Sequence, residues 1–289
     1  MSIGINEGLS ILPTGKPHVS FSEVKMWKEC PWRHKLVYID KLSEFEPSPH
    51  LDYGTIVHEA IEDFLNTRKM NIDNCLEKIE EAWEKNGFDT PDFIEKQTAL
   101  AKLQGWKYRH NTLNEWKESA KNSLLRLPSF MDENFGVWKT IEAEHQLYED
   151  IKGASGEKFK GFIDALILSE KDGKKKAWII DWKTSSARGW NKQKRQDFLM
   201  QAQLMLYKSF WSEKMSLRSR DISCGFVLLK KNTKTEKAVQ LIPVSAGPTS
   251  MEKSEKLVRS AIKGIKSGLK MKNREACMFC EFKDTQYCT

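Results

Sequence analysis

Gly161-Phe-Ile-Asp164-Ala-Leu-Ile-Leu-Ser-Glu-Lys-Asp172-Gly173-Lys-Lys-Lys-Ala177-Trp-Ile-Ile-Asp181-Trp-Lys183-Thr184 is the stretch on which the reading of this chain turns. Two apolar runs flank Asp172-Gly173, a dipeptide suited to the two-residue turn of a β-hairpin. With those residues as the loop, Lys171 faces Lys174 and, counting back, Asp164 faces Asp181. Cross-strand neighbours have Cβ atoms ~5 Å apart, and like charges there are destabilising. Phe162, Ile163, Leu166, Ile167, Ile179 and Ile180 occupy both faces of the two strands, which predicts burial, and buried unpaired carboxylates are costly. A divalent cation is the simplest compensation, and hard carboxylate oxygens suit Mg²⁺ or Mn²⁺. Side-chain alternation puts Lys183 on the face of Asp181. There an ammonium can orient a water or offset charge on a phosphate. The competing reading is a surface hairpin with two solvated carboxylates, and a bulge in either strand would shift the register.

Working outward, a strand is expected over Val137 to Tyr148 before the hairpin. A helix follows over about Gln196 to Trp211, then strands at Ile222 to Leu229 and Ala238 to Pro243. Thr249 with Glu252 has the spacing of a capping box for a last helix, with the stripe Leu257, Val258, Ala261, Ile262, Ile265 and Leu269. Towards the N-terminus, Ser20 or Ser22 can cap a helix that stops near Pro31, and a second helix follows Gly54. Residues 72 to about 127 look wholly helical, with the stripe Ala99, Leu103, Trp106, His110, Leu113, Trp116, Ala120 and Leu124. This stripe marks Trp106 and Trp116 as core residues. Residues 1–18, with Gly4, Gly8, Pro13, Gly15 and Pro17, read as an irregular arm. The expected organisation is a single α/β domain over 19–289: a mixed β-sheet core flanked by helices. It divides into a helical insertion at about 70–130, a catalytic core at about 135–245, and a C-terminal basic helix with a cysteine cluster at 249–289.

The chain has 289 residues, 39% hydrophobic and 30% charged, with a net charge of +7. The modest excess permits a polyanionic partner without requiring one. Between Lys253 and Arg274 there are eight Lys/Arg and one acid, Glu255. That segment fits either a phosphate-facing surface or a solvated helix face. No apolar run has the length of a membrane span. An intracellular, cytoplasmic protein is expected, in which six cysteines are metal ligands or buried hydrophobes, not disulfides. Cys75 and Cys224, in apolar surroundings, read as small buried hydrophobes.

Gly161-x-Ile-Asp164 followed by Ile-Ile-Asp181-Trp-Lys183-Thr resembles the core of the RecB-type nucleases of the PD-(D/E)XK superfamily, with its restriction-endonuclease-like fold. Three further stretches fit in the same order: Ser20-Phe-Ser-x4-Trp27-x2-Cys30-Pro31, Gly54-Thr-Ile-Val-His58-Glu, and Gln203-Leu-Met-Leu-Tyr207. The resemblance implies that His58 lies at the metal with Asp164 and Asp181, that the Trp182 carbonyl is near it, and that Gln203 and Tyr207 contact the DNA backbone. A glutamate on the preceding strand often completes such sites; of Glu142 and Glu144, Glu144 is favoured. Without the resemblance, His58, Gln203 and Tyr207 would be ordinary residues of two helices.

Cys277-x2-Cys280-x7-Cys288 is one thiol short of a Cys₄ site, and Cys30 can supply the fourth. Some RecB-type nucleases hold a [4Fe-4S] cluster with one early and three late cysteines. Here the gap before Cys288 is longer than that pattern, and zinc or no metal are the alternatives. The expected function is Mg²⁺- or Mn²⁺-dependent hydrolysis of DNA phosphodiesters by Asp164, Asp181, Lys183 and His58, as an exonuclease on single strands or duplex ends. The alternative is a catalytically silent DNA-binding subunit of the same fold.

Overall fold

Asp172 and Gly173 have φ of 51° and 69°, the two positive values that a type I′ hairpin turn requires. The turn joins β3 (Lys158–Lys171) to β4 (Lys174–Ser185) and fixes the expected register, with Lys171 opposite Lys174 and Ala165 opposite Ile180. In the computed structural model, which describes residues 10–43 and 46–289, this hairpin is the centre of a six-stranded mixed sheet. Gly4 and Gly8 of the expected arm lie outside the described residues.

One edge of β3 carries β2 (Val137–Asp150), antiparallel. The other edge is shared. β4 pairs with β3 from Ala165 onward, while a short β1 (His18–Ser20) pairs parallel with Lys158 to Lys160. Residues 161–164 lie where β4 leaves β3 and β1 has not yet joined it. Beyond β4 come β5 (Ile222–Lys230), parallel to it, and β6 (Val239–Val244), antiparallel at the edge.

Helices cover both faces, which explains the nearly continuous apolar runs of β3 to β5. On one side α1 (Phe21–Glu29), α8 (Phe198–Lys214) and α9 (Pro248–Lys266) bury Phe159, Ile163, Leu166, Ile179 and Phe226. On the other, α3 (Pro49–Thr67), α4 (Ile72–Asn86) and α6 (Leu113–Phe135) bury Ala165, Ile167, Ile180, Trp182 and Val227. Ile163 packs on the α8 side and Ala165 on the α3 side, so strict alternation slips at Asp164. Opposite that slip Glu144 has φ 51°, and a register shift falls between Thr140 and Glu142. Both strands bend at the point where the acidic residues meet.

Several expected boundaries are corrected. The 72–127 stretch is not one helical run. α4 ends at Asn86; α5 (Pro91–Leu103) starts after Thr90, whose hydroxyl accepts from the Phe93 N–H; and Thr112 with Glu115 forms a complete capping box for α6. The end of α5 and the segment after it leave Leu103 81% and Trp106 43% exposed, so Trp106 is not a core residue, whereas Trp116 is, at 3%. α3 begins at Pro49, five residues before Gly54. Thr249 does not cap the last helix: α9 starts at Pro248 after Gly247, with no side-chain cap, and Glu252 pairs with Arg259 at 2.5 Å. Leu269 lies past the end of α9 and is 40% exposed, and Phe162 is 43% exposed.

Candidate active site

At the split between β3 and β4, Asp164 Oδ2 accepts the backbone N–H of Trp182 at 2.7 Å. The carboxylate thus completes the ladder where the strand pairing stops. His58, one face of α3 turned to the sheet, brings Nδ1 to 3.7 Å from the same oxygen. Glu144 enters from the bent part of β2. One ligand atom from each of His58, Glu144 and Asp164 falls within 4.8 Å of the others. Three donors from two strands and a helix, all hard or borderline, can hold one divalent cation.

Asp181, expected as a ligand, sits deeper, 1% exposed, and is not part of that group of three. Lys183 Nζ lies 2.6 Å from its Oδ2 as an ion pair, but that approach does not have hydrogen-bond geometry. Among the described residues neither Asp181 oxygen has a hydrogen-bond partner. Lys183 meets Oδ2, which leaves Oδ1 without a partner among them; buried carboxylate oxygens are normally satisfied, and a free one beside three metal-competent groups fits a cation.

The ionisation of the site follows from its crowding. Burial, then the charge of Asp181, raises the Asp164 pKa well above the usual carboxylate range, against the pull of Lys183 and the Trp182 N–H. Burial alone would lower Lys183, but Asp181 and Asp164 outweigh it and its pKa ends above the ordinary value. Burial lowers His58 despite Asp181, which leaves a neutral imidazole able to donate a lone pair to a metal. Glu144 is open to solvent as a residue, yet desolvation of its carboxyl, then Glu62 and Asp181, raises its pKa. Two carboxylates held above their ordinary pKa next to a third state a need for positive charge.

Tyr207 and Gln203, one turn apart on α8, are joined by a hydrogen bond from Gln203 Nε2 to the Tyr207 hydroxyl at 3.1 Å. Burial, then Asp181, raises the Tyr207 pKa, so the phenol stays protonated. Its ring lies against the bare Cα of Gly161, where a Cβ would stand 2.7 Å from Tyr207 Cε1. The glycine three residues before Asp164 therefore sets how closely α8 approaches the acidic cluster. Glu142 turns away and binds His145 Nδ1 at 2.6 Å.

Glu62 escaped the sequence reading, although it lies one turn beyond His58 on the same helix, a spacing that puts both on one face. The basic rim beside β4 escaped it too. Thr184, Ser185, Arg188, Lys194 and Lys231 line an open cleft of about 660 Å³ next to Lys183. Of the eight basic residues from Lys253 to Arg274, Arg259 pairs with Glu252 and Glu255, and Lys266 with buried Glu157 at 2.5 Å. Those two hold the fold together in place of facing phosphate.

The four outlying cysteines also converge. Cys30, Cys277, Cys280 and Cys288 line a cavity of about 220 Å³ where the α1–α2 junction (α2, Pro31–His34) meets the C-terminal turns. Trp32 Nε1 donates to Tyr287 O at 2.9 Å, and Arg33 pairs with Glu281 at 2.7 Å, closing the chain ends on each other. All four are free thiols, and among the described residues no three of them come within 4.8 Å of one another. Cys75 and Cys224 are buried, 1% and 2% exposed.

The model of the PD-(D/E)XK nuclease superfamily matches residues 18–286. A crystal structure from Eubacterium rectale, described as that of a candidate exonuclease, superposes with a TM-score of 0.52 at 13% identity, covering 91% of this chain and 86% of that one. At that identity the likeness shows the fold. No curated protein matches the sequence.

Proposed function

The chain belongs to the PD-(D/E)XK nuclease superfamily, and from that premise we propose that it is a metal-dependent deoxyribonuclease of the RecB type, acting as an exonuclease on DNA with free ends. The observation that carries this reading is the cluster of His58, Glu144 and Asp164, with the buried Asp181 and its partner Lys183 beside it.

In this reading His58, Glu144, Asp164 and Asp181, aided by the Trp182 carbonyl, hold Mg²⁺ or Mn²⁺. When bound, the cation supplies Lewis acidity and a lowered pKa for water. The chain's own groups do the rest. Lys183, kept protonated by the two aspartates, orients the attacking water and offsets charge on the phosphate oxygens. Water oxygen bonds to phosphorus as the bond to the leaving sugar oxygen breaks, in line, with the water giving up a proton to solvent and the leaving oxygen taking one from it. Gln203 and Tyr207 hold the strand by its backbone, which gives affinity without reading sequence.

The convergence of four cysteines on one cavity supports a metal centre there, and we read it as a [4Fe-4S] cluster, with zinc the alternative. A cluster on Cys30, Cys277, Cys280 and Cys288 would tie the two ends of the chain. No helix is long and apolar enough to cross a membrane among the described residues.

The test is incubation of 5′- and 3′-end-labelled single- and double-stranded DNA with Mg²⁺, Mn²⁺ or EDTA. Metal-dependent release of nucleotides from an end is expected, and Asp181→Asn should abolish it while DNA is still bound. Internal cuts on circular DNA would refute the exonuclease assignment. DNA retention without cleavage under any metal would instead favour a silent binding subunit.

A further inference from the structure

A second cavity opens beside the basic cleft, and the two share His50, Arg109 and Asn111 in their walls. Its volume is about 230 Å³, below the roughly 300–1,000 Å³ of sites that take drug-sized ligands and suited to a single flat ring system. Trp83, Phe88, Phe93, Tyr108 and Trp116 line it. Trp83 is 3% exposed, and its indole Nε1–H has no hydrogen-bond partner among the described residues. A buried indole N–H usually finds an acceptor. That nitrogen is closed off from the cavity, and Trp83, Phe88 and Trp116 pack on one another as its floor; the partly exposed rings of Phe93 and Tyr108 are the walls on which a flat ligand can stack.

The charges around the mouth fit the rest of such a ligand. Lys231, 8% exposed, sits 4.0 Å from the Trp116 ring centroid and 2.8 Å from His50 Nδ1. Arg109 and Lys194 line the cleft outside, and Lys194 is close enough to Lys183 to feel its charge. The shared walls join the aromatic cavity to the cleft, which reaches the end of β4 at Thr184 and Ser185, next in sequence to Lys183. Bases stack on aromatic walls while phosphates follow basic grooves, which is how single strands are held.

We infer that the aromatic cavity receives one unpaired nucleobase of the DNA strand, whose phosphates cross the Arg109–Lys194 cleft toward the catalytic hairpin. The inference rests on the nuclease reading and narrows its substrate to DNA that can offer an unstacked base. Duplex DNA without a frayed or single-stranded end cannot fill both the cavity and the cleft.

The test is equilibrium binding, with Ca²⁺ in place of Mg²⁺, of single-stranded oligonucleotides carrying one abasic site moved along the strand. Abasic substitution at one position is expected to weaken binding roughly five- to hundred-fold, the scale of one base-stacking contact. 2-Aminopurine at that position should lose fluorescence on binding. Both signals should vanish in Tyr108→Leu and in Phe93→Leu, two partly exposed side chains whose loss leaves the core of α3, α4 and α6 intact. A flat abasic scan with otherwise tight binding, or a position effect that both variants keep, overturns the base pocket while leaving the nuclease reading standing. Failure to bind any DNA overturns the nuclease reading itself and this inference with it.

Discussion

Asp164→Asn is the substitution whose consequences can be worked furthest. In the cation-free protein the Asp164 pKa stands well above its unfolded value, chiefly through burial and then Asp181. A carboxylate with a raised folded pKa binds more protons in the native state. Its ionisation therefore costs stability, progressively, as pH rises from ~3.9 through the folded pKa. Asparagine removes that cost and can still accept the Trp182 N–H, so the cation-free variant should be at least as stable as the wild type at neutral pH. With cation the order reverses. A ligand at about 100 times its Kd stabilises the native state by ~2.7 kcal/mol. At ~2.1 cal/mol/K per residue, unfolding a chain of 289 residues carries about 0.6 kcal/mol/K. The wild-type Tm should thus rise by roughly 4–5 °C in saturating Mn²⁺, and the variant's should not. Cleavage should fall by about 10³ or more, because a Lewis acid contributes several kcal/mol to the transition state. Scanning calorimetry of both proteins in EDTA and in Mn²⁺ reads the stability terms. An equal Mn²⁺-induced rise in wild type and variant would show that the cation is not held at Asp164, and the ligand assignment would fall.

Gly161→Ala would put a methyl 2.7 Å from Tyr207 Cε1; a loss of about 1–3 kcal/mol and weaker DNA binding are expected, read by denaturant melts and by titration with labelled DNA. Burial lowers the Lys231 pKa to about 8, so the unfolded chain holds its proton more tightly. The Lys231 contribution should make stability rise as pH climbs from about 8 to ~10.4, and Lys231→Met should flatten that rise in melts across the same range. Glu157 accepts from Lys266 and from the Ser155 N–H, contacts that outweigh burial and lower its pKa. Its stabilisation should hold above ~4.3 and fade as pH falls through the lowered value, while Lys266→Met should cost about 1–3 kcal/mol at neutral pH, since the lysine is half exposed. Anaerobic purification should give a brown protein with iron and acid-labile sulfide, and Cys277→Ser should lose both; a colourless wild type with zinc or no metal would sink the cluster assignment.

What could be read in the sequence was local. The type I′ turn at Asp172-Gly173 fixes a register by itself, and that register holds as far as Ala165 opposite Ile180; the expected pairing of Asp164 with Asp181 falls one step beyond it, where the strands part and Asp164 accepts the Trp182 N–H instead. The buried faces of α6, α8 and α9 were visible because their apolar residues recur at helical spacing. What failed was set by distant partners or by competing local signals. β1 has three residues and exists only because Lys158–Lys160 offer an open edge. The slip at Asp164 and the bend at Glu144 come from packing two strands against each other and two helix layers, so strict alternation could not reveal them. Glu144 was legible as one of two candidates; the bend in β2 is what turned it, and not Glu142, towards His58. The apolar stripe through Leu103 and Trp106 could be phased straight across a loop, although Thr90 and the Thr112–Glu115 box were the true boundaries. Conversely, the Thr249–Glu252 spacing is only a spacing, because Pro248 already occupies the first helical position. Glu62 is brought to Glu144, and Lys194 and Lys231 to the cleft, by separate elements, and no motif joins them.

The most direct measurement is the anomalous difference density of a crystal soaked in Mn²⁺. A peak is predicted among His58, Glu144 and Asp164, with Asp164 oxygen at a bonding distance of about 2.0–2.2 Å and Lys183 beside it. A well-occupied peak elsewhere, or none at a Mn²⁺ concentration that supports cleavage, would contradict the claim that these residues form the hydrolytic centre.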